Sequence, residues 1–177
     1  MLARGNCLTL PFRDAAFDFA FSQYLFEYLA NPDLALAEMI RVTRTGGAVV
    51  VADVDGLMLF DDPCPPEIAR GVRALMDVVA RTGFDPHAGR RLYGRFARAG
   101  LADVSVRTFP AYAVAGPAPE SEVSAWMVRL EALRGPGEEA LGSRSEYDAF
   151  VEAYRRHLGD SASLKFANLF VVRGTKR

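Results

Sequence analysis

The hydrophobic and polar positions of the first 55 residues predict a strand, a helix and a second strand. Residues 17–22 (FDFAFS) form a short, aromatic-rich apolar run that is typical of a buried strand. Asn31, followed by proline, predicts the start of a helix, and the glycine pair that begins at Gly46 predicts its end. Residues 48–53 (AVVVAD) then form a run like those of strands buried on both faces. This order predicts a βαβ unit and therefore an α/β fold.

The rest of the chain continues the mixture of helices and strands. Four amphipathic patterns predict helices over residues 66–81, 90–99, 120–134 and 146–158. Two further runs predict strands over residues 104–112 and 164–173. Pro110 places the first of these strands at a sheet edge, and the glycines of residues 135–137 predict a flexible loop. We expect residues 1–177 to form a single domain.

The composition excludes several classes of protein. Of the 177 residues, 50% are hydrophobic and 24% are charged, which provides for a sizeable core and argues against disorder. The formal net charge of −1 gives no electrostatic basis for binding nucleic acid. Two cysteines make no disulfide framework, and no apolar run approaches the roughly 20 residues of a membrane span. We therefore expect a soluble cytoplasmic protein with no nucleic-acid or membrane partner.

Several short motifs occur in a fixed order: LPF at residues 10–12, FD at 17–18, NPDLAL at 31–36, EMIRV at 38–42, GG at 46–47 and GRRLYGRFARAGLADVSV at 89–106. This order resembles the class I S-adenosylmethionine-dependent methyltransferases, and within them the type 11, ubiquinone/menaquinone C-methylase-like group. The resemblance implies a partial Rossmann-like sheet, with helices on both faces and a small helical lid. The four predicted strands would correspond to strands 4-5-7-6 of that sheet.

The cofactor-binding signature of that family is not found in this sequence. The resemblance implies a glycine-rich turn, about G-x-G-x-G, after a first strand and an acid after a second, and no G-x-G-x-G occurs in these 177 residues. We therefore expect an N-terminally incomplete methyltransferase-like domain, equivalent to the C-terminal two-thirds of the fold. It would be a truncated sequence, half of a split enzyme, or a relative that has lost the cofactor site.

The implied strand order has a consequence for partners. The run from Phe17 to Ser22 becomes an edge strand, and Asp18 is its only charged residue. Proteins usually protect such edges with charges, proline or a covering element. We therefore expect a homo-oligomer or a partner chain that covers this edge.

The resemblance also assigns residues to the cofactor, S-adenosylmethionine. Asn6 and Cys7 occupy the positions that contact the adenine in the family, although Asn6 lacks the charge of the usual acid. Ser22 and Gln23 lie at the C-terminal end of the first strand and would line the methionine end of the cofactor. Ligands of open α/β sheets bind at the carboxyl ends of strands, which supports this placement.

Other residues are candidates for contact with the methyl acceptor. Tyr24 follows the first strand, Asp53 and Asp55 follow the second, and His87 lies in a loop that the family often uses near the acceptor. Tyr28 stands where the group often has a histidine. His87 and Tyr28 are the candidates for catalysis, with loop capping as the alternative for His87. We expect no metal, because no second cluster of ligands accompanies the two aspartates.

Two functions follow from these observations. The first is methyl transfer from S-adenosylmethionine to a small organic acceptor. That reaction rests mainly on positioning and desolvation, so it requires no catalytic triad or metal motif. The second is a non-catalytic, methyltransferase-like binding or regulatory subunit. An unrelated NAD-binding protein is disfavoured, because the dinucleotide fingerprint is also absent from these residues.

Overall fold

The computed structural model describes residues 3–177. Its strands are Phe17–Gln23 (β1), Thr43–Asp55 (β2), Ala102–Ala115 (β3) and Leu164–Thr175 (β4). Its α-helices are Pro32–Val42 (α1), Pro66–Ala80 (α2), Ala88–Arg98 (α3), Glu120–Ala132 (α4), Arg134–Leu141 (α5) and Arg144–Leu158 (α6), and a 3-10 turn spans Phe26–Tyr28. No helix in this part of the chain combines the length and hydropathy needed to cross a bilayer.

The strands form a sheet in the order β1-β2-β4-β3 among the described residues. β1 runs parallel to β2, with Phe19 opposite Ala48 and Gln23 opposite Ala52. β4 runs antiparallel to β2, with Asp55 opposite Asn168 and Ala48 opposite Thr175. This is the order expected from strands 4-5-7-6, and it places β1 and β3 at the two edges.

The described chain divides into two compact units. Unit 1 comprises residues 3–55, 85–109 and 168–177, and unit 2 comprises residues 56–84 and 110–167. In unit 1, apolar side chains of α1 and α3 pack on β2, and its buried core includes Leu36, Met39, Val49, Leu92 and Phe96. In unit 2, helices α2, α4 and α6 contribute most of a core rich in aromatic rings. The single domain expected over residues 1–177 stays a prediction.

The first helix ends earlier than the glycine pair predicts. α1 stops at Val42, and the Thr43 hydroxyl donates to the Met39 carbonyl oxygen at 2.7 Å. β2 begins at Thr43, so Gly46 lies inside the strand at a φ of +77°. The pairing with β1 shifts here, since Phe17 faces Thr43 whereas Phe19 faces Ala48. Gly46 therefore permits an irregularity within strand β2 and does not mark the end of a helix.

The flexible loop expected at residues 135–137 is wrong, because this segment lies inside helix α5. Gly137 packs against the ring of Tyr147 so closely that an added Cβ would lie 2.0 Å from Cε2 of that ring. The packing on α6 overrides the weak helix propensity of two glycines and a proline. The structure of this segment is decided by its contact with another helix, and a local sequence pattern gives no information about that contact.

Candidate functional site

The candidate site lies in unit 1, at the carboxyl ends of β1 and β2. Because these strands are parallel neighbours, the residues that follow them meet at one edge of the sheet. The first turn of α3 lies against the same edge. A Cβ added to Gly89 would come within 2.8 Å of the Asp53 carbonyl oxygen, so glycine permits this approach.

Asp53 holds the turn that follows β1. Its Oδ2 accepts hydrogen bonds from the backbone N–H groups of Phe26 at 2.7 Å and Glu27 at 3.3 Å, and its Oδ1 accepts from Val54 at 3.0 Å. Burial raises the pKa of this carboxyl, and the backbone hydrogen bonds oppose that shift. Asp53 is 0% exposed, so in this structure its side chain holds the backbone of the turn and does not reach the surface of the site. Direct substrate contact by Asp53 would require that turn to move.

Glu27 is a site residue that the sequence analysis did not identify. It is 5% exposed, and burial together with the charge of Asp53 raises its pKa to about 7, while a hydrogen bond with Tyr28 lowers it. A carboxyl group with such a pKa can exchange a proton near neutral pH. The only sequence signal was an acid placed between aromatic residues in FEYL.

Asp55 forms an ion pair with Arg90 at the start of α3. Arg90 donates from Nε at 2.7 Å and from Nη2 at 2.8 Å to the two oxygens of the buried Asp55 carboxylate. These hydrogen bonds, which Arg90 donates to Asp55, raise the pKa of Arg90. His87 Nδ1 lies 3.6 Å from Asp55 Oδ1, and this side chain forms no cap on α3. The structure therefore brings Asp55 and His87 together, with Arg90 as a partner that the sequence analysis missed.

The predicted residues Gln23, Tyr24 and Tyr28, at the end of β1 and shortly after it, are exposed to solvent. Tyr24 is 45% exposed and Tyr28 is 61% exposed. Tyr24 has a φ of +52°, and its backbone N–H donates to the Ala52 carbonyl oxygen at 3.0 Å. Gln23 is also exposed, at the last paired position of β1. These side chains are available to a ligand at this edge, and their roles stay predictions.

A cleft of about 270 Å³ runs beside β1 and brings two predicted cofactor residues together. Cys7 and Ser22 line it, with apolar walls that include Leu10, Phe19 and Met39. Ser22 Oγ is buried and has no hydrogen-bond partner among the described residues. Asn6 is not among the lining residues of this cleft, since its Oδ1 accepts the Leu8 backbone N–H at 2.9 Å in an exposed turn.

Arg41 fixes the loop that carries Cys7. Its guanidinium donates to the carbonyl oxygens of Leu10 at 3.0 Å and Phe12 at 2.9 Å, and it pairs with Glu38 and Asp14. Glu38 in turn accepts the Leu10 backbone N–H at 2.7 Å. The hydrogen bond from Arg41 lowers the pKa of Glu38 to about 2. The LPF and E-x-x-R motifs thus form one hydrogen-bonded structure beside the cleft.

Part of the chain is similar in sequence to known methyltransferases. Residues 1–51 match the methyltransferase domain family Methyltransf_11. A demethylmenaquinone methyltransferase of Parafrankia is 42% identical over 53 residues, which are 30% of this chain and 21% of that relative. The chain therefore matches only about a fifth of the length of this curated relative.

Solved structures extend the likeness of the fold to nearly the whole chain. A proposed methyltransferase of Bacillus halodurans superposes with a TM-score of 0.59 and 14% identity, covering 98% of this chain and 76% of the other. Phosphoethanolamine N-methyltransferase 2 of Haemonchus contortus, solved with S-adenosylhomocysteine, gives 0.50 and 15%, covering 97% of this chain and 36% of the other. Residues 1–51 are thus similar to the methyltransferase domain family, and nearly the whole chain has the fold of S-adenosylmethionine-dependent methyltransferases.

Proposed function

We propose that this chain takes part in methyl transfer from S-adenosylmethionine to a small organic acceptor. The observation that carries the proposal is the cleft beside β1, because the family-matched residues Cys7 and Ser22 meet there. The apolar walls suit the face of a ring, and the free Ser22 hydroxyl offers a hydrogen bond to a polar edge. The demethylmenaquinone methyltransferase named above supports a small organic acceptor.

The residues of unit 1 supply positioning and a place for a proton. S-adenosylmethionine, when bound, supplies a methyl group already activated by a sulfonium. The chain must hold the acceptor in line and exclude water. Exposed Tyr24 and Tyr28 flank the edge where the acceptor would bind, and His87 Nδ1 lies 3.6 Å from Asp55, which pairs with Arg90. Glu27, with a pKa near 7, is suited to receive a proton that a protic acceptor loses.

We further propose that a strand from another segment or chain covers the free edge of β1. Phe19 and Phe21 are each 53% exposed on this strand, and their rings stack 6.3 Å apart. A strand that leads into a glycine-rich turn would both pair with this edge and bring backbone N–H groups toward the cleft. The cleft would supply only some of the contacts to the cofactor. The covering strand and its turn would supply the others.

A chimaera tests the proposal. The segment that precedes the matched residues in the Parafrankia relative would be fused ahead of residue 3, and S-adenosylhomocysteine binding would be measured by calorimetry. We expect the chimaera to bind at least about tenfold more tightly than either part alone. Cys7→Trp should abolish the gain by filling the cleft, whereas Val128→Trp, at an exposed site in unit 2, should preserve it.

A folded chimaera that binds no better than its added half would contradict the proposal. Cooperative thermal unfolding of both the chimaera and the Cys7→Trp variant shows whether each is folded. A gain that survives Cys7→Trp would likewise exclude the cleft as the cofactor site.

The second candidate is a non-catalytic, methyltransferase-like binding subunit. It is favoured by Asn6, whose side chain closes a local turn where the family has an acid for the adenine. This function predicts that the chimaera binds no S-adenosylhomocysteine although it folds. Under either function we propose a cytoplasmic location, because both cysteines are free thiols.

A further inference from the structure

A groove lies between helices α1 and α3 in unit 1. Both helices pack on the same face of the sheet, through a core that contains Leu36, Val49 and Leu92. The groove has a volume of about 520 Å³, which is within the range of small-molecule sites. None of the residues that line it also lines the cleft beside β1. The groove therefore has no role in the function proposed so far.

Apolar side chains form part of the wall of this groove. Ala37 on α1 and Ala99, which directly follows α3, line it with side chains that end at Cβ, so they leave space between the helices. Leu36 and Ile40 line it as well, and both belong to the apolar packing of unit 1. An apolar ligand body placed here would remove water from these side chains, which is favourable.

Two of the three arginines that line the groove are neutralised by acids of unit 1. The Arg41 guanidinium forms ion pairs with Glu38 and Asp14. Arg95 donates from Nη1 to Asp33 Oδ1 at 2.6 Å, and this ion pair connects α3 with α1. The charges of these two arginines are therefore balanced within the protein.

Arg98, the third arginine, carries a charge that no acid balances. It lines the groove and forms no ion pair within residues 3–177. Its Nη1 would lie 3.1 Å from a Cβ added to Gly94, so the guanidinium lies back along α3, over the preceding turn. A guanidinium can donate two parallel hydrogen bonds to one carboxylate. The groove thus combines an apolar surface with an unpaired cation.

We propose that the groove between α1 and α3 binds a small organic anion with an apolar chain, of the class of short alkyl carboxylates. The carboxylate pairs with Arg98, and the chain lies on Leu36, Ile40 and Ala99. A neutral molecule would leave Arg98 without an acid, and an anion without a chain would leave the apolar surface in water. This inference is independent of the proposed function, because it uses none of the residues of the cofactor cleft.

Hexanoate is the probe, hexanol is the matched ligand without the charge, and acetate is the matched ligand without the chain. Binding to the full ¹⁵N-labelled chain is followed by NMR at the backbone amides of Ala37, Ile40 and Ala99. We expect hexanoate to shift these signals in a saturable way. Hexanol should bind roughly three- to tenfold more weakly, the effect of one partly exposed ion pair with its hydrogen bonds. Acetate should bind at least about tenfold more weakly, because it lacks the CH₂ groups that lie on the apolar wall.

A pair of arginine variants supplies the protein control. Arg98→Gln should weaken hexanoate binding roughly three- to tenfold and leave hexanol binding within about twofold of the wild type. Arg73→Gln removes another exposed arginine, on α2 in unit 2, that also has no ion pair in the described part of the chain, and it should leave both affinities within about twofold. Ala37→Trp should abolish the binding of hexanoate and hexanol by filling the groove, whereas Val128→Trp, at an exposed site of α4, should preserve it.

Several outcomes would overturn the proposal. Equal affinities for hexanoate and hexanol would remove the role of the charge on Arg98. Equal effects of Arg98→Gln and Arg73→Gln would assign the attraction to the general charge of the surface. Saturable shifts that persist in a folded Ala37→Trp variant would exclude the groove as the site. A chain that unfolds cooperatively on heating and binds none of the three probes would mean that the groove holds water only. If Ala37→Trp does not fold, the arginine pair and the three ligands still decide the question.

Discussion

The Asp53 carboxylate accepts the backbone N–H of Glu27 at 3.3 Å, while its charge raises the pKa of the Glu27 side chain. One buried acid therefore both holds the turn after β1 and disfavours ionisation of the acid next to it. This coupling links the stability of unit 1 to pH, because it contributes to raising the pKa of Glu27 to about 7.

Stability should fall as the pH rises through the range set by Glu27. Its pKa is 4.5 in an ordinary setting and about 7 in the fold, so the unfolded chain releases the proton first. The free energy of unfolding should decrease between about pH 4.5 and 7, by at most about 3 kcal/mol, and then level off. Glu27→Gln cannot ionise, so its stability should exceed that of the wild type at pH 8 and match it at pH 4.5.

Urea unfolding at several pH values measures this difference. Glu152→Gln is the control, because that exposed carboxylate has only long ion pairs with Arg155 and Arg156. Its unfolding free energy should stay within about 0.5 kcal/mol of the wild type throughout. Equal pH profiles for Glu27→Gln and the wild type would show that Glu27 ionises normally in the fold.

Asp53→Asn tests whether the charge of Asp53 holds the turn after β1 and raises the pKa of Glu27. The amide keeps one acceptor oxygen but loses the charge that strengthens the bonds to Phe26 and Glu27. We expect a loss of about 2 kcal/mol in the free energy of unfolding at pH 8. Without the charge the pKa of Glu27 should also fall, so the dependence of stability on pH should become shallower. A variant with the full wild-type pH dependence would indicate that burial alone shifts Glu27.

The parts of the fold that the sequence predicted are those in which local pattern and tertiary packing agree. The apolar run of residues 17–22 and the β-branched run of residues 48–53 pair as parallel neighbours, as expected. The burial expected for residues 17–22 is wrong for this chain, because most positions of β1 are exposed at the edge of the sheet. At Gly46 the pattern identified a residue that requires unusual backbone freedom, but it did not distinguish a helix end from a strand irregularity. Both structures use the same property of glycine.

The site residues that were missed depend on contacts between distant segments. Arg90 is one of several arginines in an amphipathic helix, and only the fold shows that it meets Asp55, which lies 35 positions earlier. Glu27 differs from any surface acid only through its burial beside Asp53. Burial and long-range pairing are properties of the packed chain, so no local motif reports them.

Two glycines of α3 give opposite predictions. A Cβ at Gly89 would lie 2.8 Å from the Asp53 carbonyl oxygen, which belongs to a buried strand and cannot retreat. Gly89→Ala should therefore lower the free energy of unfolding by about 1–3 kcal/mol. At Gly94 the nearest atom is the flexible end of Arg98, at 3.1 Å, so Gly94→Ala should raise stability by about 0.5–1 kcal/mol through helix propensity. Thermal unfolding of both variants measures this contrast, and equal effects would contradict the close approach of α3 to β2.

Arg41→Lys should loosen the loop that carries Cys7 without unfolding α1. Lysine keeps the charge but cannot bind Glu38, Leu10 and Phe12 at once, because it lacks the planar fork of arginine. We expect hydrogen exchange at the Leu10 amide, which donates to Glu38, to become about tenfold faster. Arg81→Lys, at an exposed ion pair with Glu139 in unit 2, is the control and should leave the Leu10 amide unchanged. Unaltered protection in Arg41→Lys would show that the loop is held by its apolar contacts alone.

The exposed face of β1 should make the isolated chain associate. Phe19 and Phe21 present large apolar rings on a strand that, among residues 3–177, lies at the edge of the sheet, and this combination favours pairing with another strand. Sedimentation velocity should show concentration-dependent association of the wild type, and Phe21→Lys should suppress it by placing a charge on the edge. Val128→Lys, at a site 71% exposed in α4, should not. If both lysine variants act alike, association depends on general surface hydrophobicity. If the wild type stays monomeric, the β1 edge is protected within a single chain and needs no covering strand.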